Sequence, residues 1–273
     1  MSKILKTSVL IFLFFIGISL FVSFSYKKEY GVFLGLNNSD AKKLLPYKTI
    51  VLEGEEFTEN DIKNFHQNGQ KVLAYLNIGA LEKYRSYYGD YKRFSLGIYQ
   101  NWSDERWIDV SNEEWQDFII KKKAFEYYKK GFDGFFIDNT DVYYQYQKDE
   151  IYEGLIRILK GLHQYNMEIL INGGDTFISK LIDEDINIFD GINQECVFTS
   201  IDFNHNKYGQ QSSKEHEYFI EYLKKVKAYN KKVYLLEYGA NKFIREKIKN
   251  YCIKQGFDYF ISFDKSLTKE MEW

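Results

Sequence analysis

Short apolar runs alternate along this chain with longer stretches in which apolar residues recur every three or four positions. The runs are GVFLGL (31–36), KTIVLEG (48–54), KVLAYLNIGA (71–80), DGFFID (133–138), EILINGG (168–174), DGINQEC (190–196), KVYLLEYG (232–239) and DYFISFD (258–264). Their length and flanking turn formers predict buried strands. Between them, ENDIKNFHQNG, NEEWQDFIIKKKAFEYYKKG, EIYEGLIRILKGLHQY and SKEHEYFIEYLKKVKAYN carry the spacing of amphipathic helices. Gly69, Gly131, Asn166, Asn230 and Gly256 stand where helices give way to strands. These residue types tolerate the left-handed conformation that turns a helix end sharply. Strand then helix, repeated, predicts a parallel sheet. Eight strands, with the shorter RWIDV set apart as the lead into a helix, predict an α/β fold, a (β/α)8 TIM barrel. An open doubly wound sheet is the alternative, but it would bring a glycine-rich phosphate turn, and GVFLGLNNSD has no GxGxxG.

Pro46 is the single proline and no Gly/Ser-rich linker interrupts the chain, so residues 29–273 parse as one catalytic-size domain. Ahead of it, residues 1–28 hold an apolar run from 8 to 24 between lysines. That segment predicts a signal peptide or an uncleaved membrane anchor, and an extracellular or cell-surface protein. A net charge of -2 removes the electrostatic reason to expect a nucleic-acid partner. Cys196 and Cys252 have no CxxC spacing, which excludes a thiolate zinc site and leaves a disulfide or two buried thiols open. The four histidines show no HxH or HExxH, so neither a metal centre nor a cofactor is expected. Aromatic residues make up 19% of the chain, with 24 Tyr and 23 Phe, and tyrosines near strand ends suit the flat faces of sugars. A monomer is the expected state.

In a barrel the active site forms at the C-terminal ends of the strands. Reading those ends in order gives Glu53, Asn77, Asp138 with Asp141, Asn172, Glu195, Glu237 with Tyr238, and Asp264. An Asp or Asn after a strand is often only a cap or turn former, which is the competing reading for Asp141, Asn172 and Asp264. Asp138 and Glu195 each end an apolar strand where Gly, Asn or Ser would be commoner. Two carboxylates facing one cleft are what glycosidic cleavage requires. Tyr75 and Asn77 share one strand face, and Glu82 and Arg85 follow at helical spacing, either to orient a catalytic group or as a surface ion pair. In RWIDVSNEEW, Trp107, Asp109 and Trp115 can shape the rim, while Ser111 and Glu114 also read as a capping box.

The segments YLNIGALEKYRSYY, RWIDVSNEEW, GFDGFFIDNTDVYY, LINGGD and DGINQECVFTS, in that order, resemble glycoside hydrolase family 114, the endo-α-1,4-polygalactosaminidase group of (β/α)8 barrels. The resemblance runs from about Gly31 to the C-terminus. It implies an endo-glycosidase acting on galactosamine-containing exopolysaccharide, with Asp138 and Glu195 as the catalytic pair. The family loop often reads G-E-x-E-x-Y-R; here GALEKYR keeps Glu82, Tyr84 and Arg85 but has Ala80 in place of the first acid. Where relatives commonly carry Asp before Tyr in the seventh strand, this chain has Glu237 before Tyr238. The substrate-binding set expected from these readings is Glu53, Tyr75, Asn77, Glu82, Arg85, Asp109, Asp141, Tyr143, Asn172, Gln194, Glu237 and Tyr238. Two other readings stay open at this point. One is a noncatalytic polysaccharide-binding barrel using Tyr75, Tyr143, Tyr144 and Tyr238; the other is a metal-dependent hydrolase or deacetylase.

Overall fold

A computed structural model describes residues 27–100, 102–203 and 205–271. The apolar segment at 8–24, and with it the signal-or-anchor expectation, lies outside the described residues. No helix among the described residues is long and apolar enough to cross a membrane.

Eight parallel strands form one sheet: β1 (Lys28–Phe33), β2 (Tyr47–Leu52), β3 (Lys71–Asn77), β4 (Gly134–Asp138), β5 (Glu168–Asn172), β6 (Gly191–Glu195), β7 (Lys232–Tyr238) and β8 (Asp258–Ser262). Each pairs with the next in chain order, and β8 lies back against β1, where the Phe33 and Phe260 rings meet edge to face at 5.0 Å. This is the (β/α)8 barrel. Among the described residues no backbone ladder joins β8 to β1. The chain beyond β8 instead folds back along that free edge, with Ser262 pairing antiparallel to Glu270. Glu270 then accepts the Tyr47 hydroxyl at 2.6 Å and pairs with Lys28. An edge that would expose unpaired N–H and C=O groups is thereby covered.

The sequence signals worked for a physical reason. Parallel strands are buried on both faces, so they read as continuous apolar runs, and in β4 the residues Phe135, Phe136 and Ile137 are all buried. Gly69, Gly131, Asn166, Asn230 and Gly256 all have positive φ, and Gly131 and Gly256 close the helices Phe125–Lys130 and Lys242–Gln255. The first strand is displaced from its expected 31–36 because Lys28 and Glu29, polar and exposed, form its opening residues.

Two excursions from the repeat were not expected. After β3 the chain builds a three-stranded antiparallel sheet from Ala80–Glu82, Ser95–Ile98 and Glu105–Ile108. After β6 it builds a hairpin from Thr199–Asp202 and Lys207–Gln210. RWIDV therefore belongs to a strand, and the helix after it is capped by Asn112, whose side chain accepts the Glu114 and Trp115 N–H groups, rather than by a Ser111–Glu114 box. Both excursions stand over the C-terminal rim. At the opposite end of the barrel, Glu168 is held between Lys71 and Lys232, the latter at 2.6 Å. Cys196 and Cys252 are free thiols.

Candidate active site

Four neighbouring strands end in the same way. Asp138 (β4), Asn172 (β5), Glu195 (β6) and Tyr238 (β7) are terminal strand residues. Each is followed by a residue of positive φ: Asn139, Gly173, Cys196 and Gly239. A left-handed residue breaks the pleat, so the chain leaves the sheet there and the last side chain stays uncovered at the rim. For Cys196 (φ 55°), a residue type that rarely adopts this region, the conformation is held against its own preference.

Those four side chains form one network. The Asn172 amide donates from Nδ2 to Asp138 Oδ1 at 2.9 Å and to Glu195 Oε1 at 2.7 Å. Its orientation is set from behind, because Asn193 Nδ2 donates to Asn172 Oδ1 at 2.7 Å and Tyr30 donates to Asn193 Oδ1 at 3.0 Å. With its oxygen occupied in this way, Asn172 must turn its two N–H donors toward the acids. Tyr75 donates to Asp138 Oδ2 at 2.8 Å and Tyr238 to Glu195 Oε2 at 2.7 Å. Burial pushes both carboxyls above their ordinary range. For Asp138 the opposing donors are Asn172 and Tyr75, with Asn139 adding a third. Glu195 has donors from Asn172 and Tyr238, but the Asp138 charge raises it further. The two raised carboxyls share one donor and titrate as a coupled pair, with the Asp138 charge adding to the rise at Glu195.

The pair opens into a cavity of about 780 Å³. Of the residues expected at the site, Tyr75, Glu82, Asp141, Asn172, Gln194 and Tyr238 line it together with Asp138 and Glu195. Asp141 is half-buried, and desolvation, with the Asp175 and Asp138 charges beside it, pushes its carboxyl up to about 7, while the Gly174 N–H donates to it at 3.1 Å. Among the charged residues of the walls acids predominate; of the described lining residues, Lys265 is the one lysine or arginine.

Six of the expected substrate ligands do not reach this cavity, and their partners show why. Glu53 and Arg85 form a bidentate pair at 3.0 and 2.8 Å. Glu82 takes the Arg85 Nε at 2.5 Å, so the anticipated surface ion pair is a buried one, with the Arg85 side chain only 3% exposed. Asn77 caps the following strand by accepting the Ala80 N–H at 2.9 Å. Asp109 closes a turn on Ser111, accepting its N–H at 3.0 Å and its hydroxyl at 2.6 Å. Tyr143 packs on Tyr152 and Phe177. Glu237 is wholly buried and accepts the Phe198 and Thr199 N–H groups and the Thr199 hydroxyl, fixing the chain just after Glu195. Asp264 likewise serves its own turn, accepting the Ser266 N–H. The carboxylates among them are already bonded by protein donors, which leaves them little free valence for sugar, while the Asn77 amide nitrogen is buried without a partner outside the cavity lining.

Other cavity residues come from the two excursions and were not foreseen. Glu105 and Tyr99 reach in from the three-stranded sheet. Trp102 and Phe203 meet edge to face at 5.7 Å, one from each excursion, with the Lys265 ammonium over both rings. In the sequence these residues sit in polar, aperiodic stretches, and nothing local marks them. Among the described residues no group of three or more His, Cys, Asp or Glu side chains is arranged to hold a metal ion.

Two carboxylates held this close at a barrel's C-terminal rim, with room beside them for a sugar chain, are the equipment of a glycosidase. Comparison with known families assigns the same class and narrows it. The chain matches the family described as Glycoside-hydrolase family GH114 over residues 24–270 and belongs to that family, so it is a glycosidase. Solved structures with the same fold include the glycoside hydrolase domain of PelA from Pseudomonas aeruginosa, with a TM-score of 0.75 and 17% identity over 88% of this chain and 96% of that one. Aspergillus fumigatus Ega3, in complex with galactosamine, superposes with a TM-score of 0.65 and 17% identity over 91% of this chain and 95% of that one. A maltogenic alpha-amylase from Thermotoga neapolitana shares the barrel more distantly, with a TM-score of 0.57 and 12% identity over 92% and 71% of the two chains. No curated protein sequence matches significantly.

Proposed function

We propose that the protein is an endo-acting glycosidase of amino-sugar exopolysaccharide, with Asp138 as nucleophile and Glu195 as general acid and then general base. The observation that carries this reading is the Asn172 bridge. One amide nitrogen donates to both carboxylates, so the two oxygens it joins are no farther apart than bonds of 2.9 and 2.7 Å laid end to end. That falls short of the roughly 6.5 Å an inverting pair needs to seat a water molecule, and supports a retaining mechanism. Asp138, with the richer set of donors, attacks the anomeric carbon as a carboxylate. Glu195, held protonated by burial and by the Asp138 charge, gives its proton to the leaving oxygen. The resulting glycosyl ester on Asp138 is hydrolysed by water that Glu195 deprotonates.

An acid-lined cavity suits a polymer that carries ammonium groups, and the galactosamine complex of Ega3 supports the same sugar class. The apolar run at 8–24 supports action outside the cytoplasm, either secreted or anchored, and we take the protein to act as a monomer. The test is incubation of an α-1,4-linked galactosamine polymer with wild type, Asp138→Asn and Glu195→Gln, followed by size analysis of the products and NMR of the new reducing ends. Shortened chains with retained anomeric configuration from wild type alone are expected. Binding of the polymer with no new reducing ends would replace the hydrolase by the polysaccharide-binding barrel.

A further inference from the structure

Of the four tyrosines that the sequence offers for sugar binding, three are used by the protein itself. Tyr75 and Tyr238 hold the catalytic carboxylates, and Tyr143 packs on Tyr152 and Phe177. Tyr144 is left over. It sits in the short helix Val142–Gln145, three positions after the cavity residue Asp141, and is 62% exposed. A second tyrosine, Tyr218, stands at the same corner of the rim. It belongs to the helix Ser213–Ala228 and is 49% exposed. Its hydroxyl donates to Asp175, and its ring meets that of Phe219 edge to face at 5.5 Å. Asp175 and Phe219 both line the cavity, whereas Tyr144 and Tyr218 lie just outside it. The helix that Asp175 opens, Asp175–Asp183, packs against both tyrosine-bearing helices. Burial, the Asp175 bond and the charges of Asp175, Glu215 and Tyr144 raise the Tyr218 phenol, which places the two hydroxyls within reach of each other's field. One exposed aromatic ring on a surface is ordinary; two brought together from separate elements at the mouth of a polymer site mark a contact.

We propose that Tyr144 and Tyr218 form an outer subsite, a shelf on which a sugar unit of the bound chain rests after the chain leaves the cavity. The inference rests on the polysaccharide-hydrolase reading given above and adds to it the path of the polymer beyond the acid pair. A pyranose ring presents a face of C–H groups, which packs on an aromatic face, and hydroxyls at its edge, which a phenol can meet. The Asp175 bond fixes the Tyr218 hydroxyl before substrate arrives, so little side-chain freedom is lost on binding. The shelf is continuous with the cavity through Asp175 and Phe219, and this continuity assigns it to the same sugar chain and not to a protein partner. Its contribution is to affinity for long chains, since a short oligomer is held by the cavity alone.

Initial rates on a size-fractionated series of α-1,4-linked galactosamine oligomers, up to the full polymer, test this. Affinity electrophoresis in gels cast with the polymer, using a Glu195→Gln background, reads binding apart from cleavage. Wild type is expected to gain kcat/KM with chain length. Tyr144→Ala and Tyr218→Ala should each lower kcat/KM on the longest chains by about three- to tenfold, through KM, the range of partly burying one aromatic face. The loss should shrink as the oligomers shorten, and retardation in the polymer gel should fall in step. Tyr144→Phe keeps the ring and should stay within twofold of wild type at every length. The Tyr144 variants carry the test alone if Tyr218→Ala does not melt cooperatively. An equal loss at all chain lengths, or none in Tyr144→Ala, overturns the assignment. So does a dimer seen by sedimentation in wild type and lost in the double alanine variant, which would give the rings to a second copy of this chain. Retardation that needs both rings, without cleavage of any polymer by wild type, would leave the shelf standing and remove the hydrolase reading. Cleavage whose length dependence ignores both rings would do the reverse.

Discussion

The two ends of the barrel treat buried carboxylates in opposite ways. At the N-terminal end Glu168 lies between Lys71 and Lys232, and their hydrogen bonds and charges outweigh burial and hold its carboxyl below the ordinary range. At the C-terminal end Asp138, Glu195, Asp141 and Glu105 face one another across a cavity with no lysine or arginine bonded to any of them, and burial holds all four above that range. The same residue types on the same scaffold stabilise the fold where a cation is supplied and stay poised for chemistry where it is withheld. A third group, Glu53 and Glu82 on Arg85, shows that position at the rim is not enough. These acids stand at the reactive end but are bonded as structural ones.

The largest expected effect probes the reactive end. Asp138→Asn and Glu195→Gln should each lower kcat by about a thousandfold or more on an amino-sugar polymer, within the range that nucleophilic and acid–base groups supply. A fall of less than tenfold in either would break the division between the ends. Next comes Arg85→Ala, which strands two buried carboxylates and should lower unfolding free energy by about 3–5 kcal/mol in urea titration. Near-neutral stability would place Glu53 and Glu82 with the reactive acids. Asn172→Ala removes the donor shared by the pair and strands the buried Asn193 amide, so kcat is expected to fall about a hundredfold and unfolding free energy by about 1–3 kcal/mol.

The pH dependence of stability should differ in sign between the ends. Glu168 is held low in the fold, so its contribution is present above its unfolded value and is lost as pH falls through the folded one. Glu237, Asp141 and Glu105 are held up at about 7, 7 and 8, so what they contribute is complete below their unfolded values and is lost as pH rises through 7 to 8. Thermal melts should show a decline that begins near pH 4.5, levels off near pH 8 and is reduced by Glu105→Gln. The smallest effect belongs to Lys232→Ala. Its side chain is half exposed, so a loss of about 0.2–1 kcal/mol is expected at pH 7, fading in acid and without change in kcat.

The strands and caps of this barrel were legible because both are local. A strand buried on both faces must be apolar along its length, and a helix that turns sharply into it needs a residue that tolerates positive φ. Asp138, Asn172, Glu195 and Tyr238 were legible for a related reason, as polar residues at the ends of such strands. Glu237 looks the same in sequence, yet three donors from the chain after β6 enclose it. Glu105, Tyr99 and Trp102 lie in a segment with no strong period and enter the cavity only because an antiparallel sheet folds over the rim.

What the amino-acid sequence by itself determined is thus the order of elements, the barrel and the set of acids delivered to one rim. Periodicity and capping act between residues a few positions apart. Which acids are free was decided by the tertiary structure. A carboxylate's protonation and reactivity depend on the donors and charges within a few ångströms of it, and for Glu53, Asp138, Glu168 and Glu195 those groups come from residues tens of positions away along the chain.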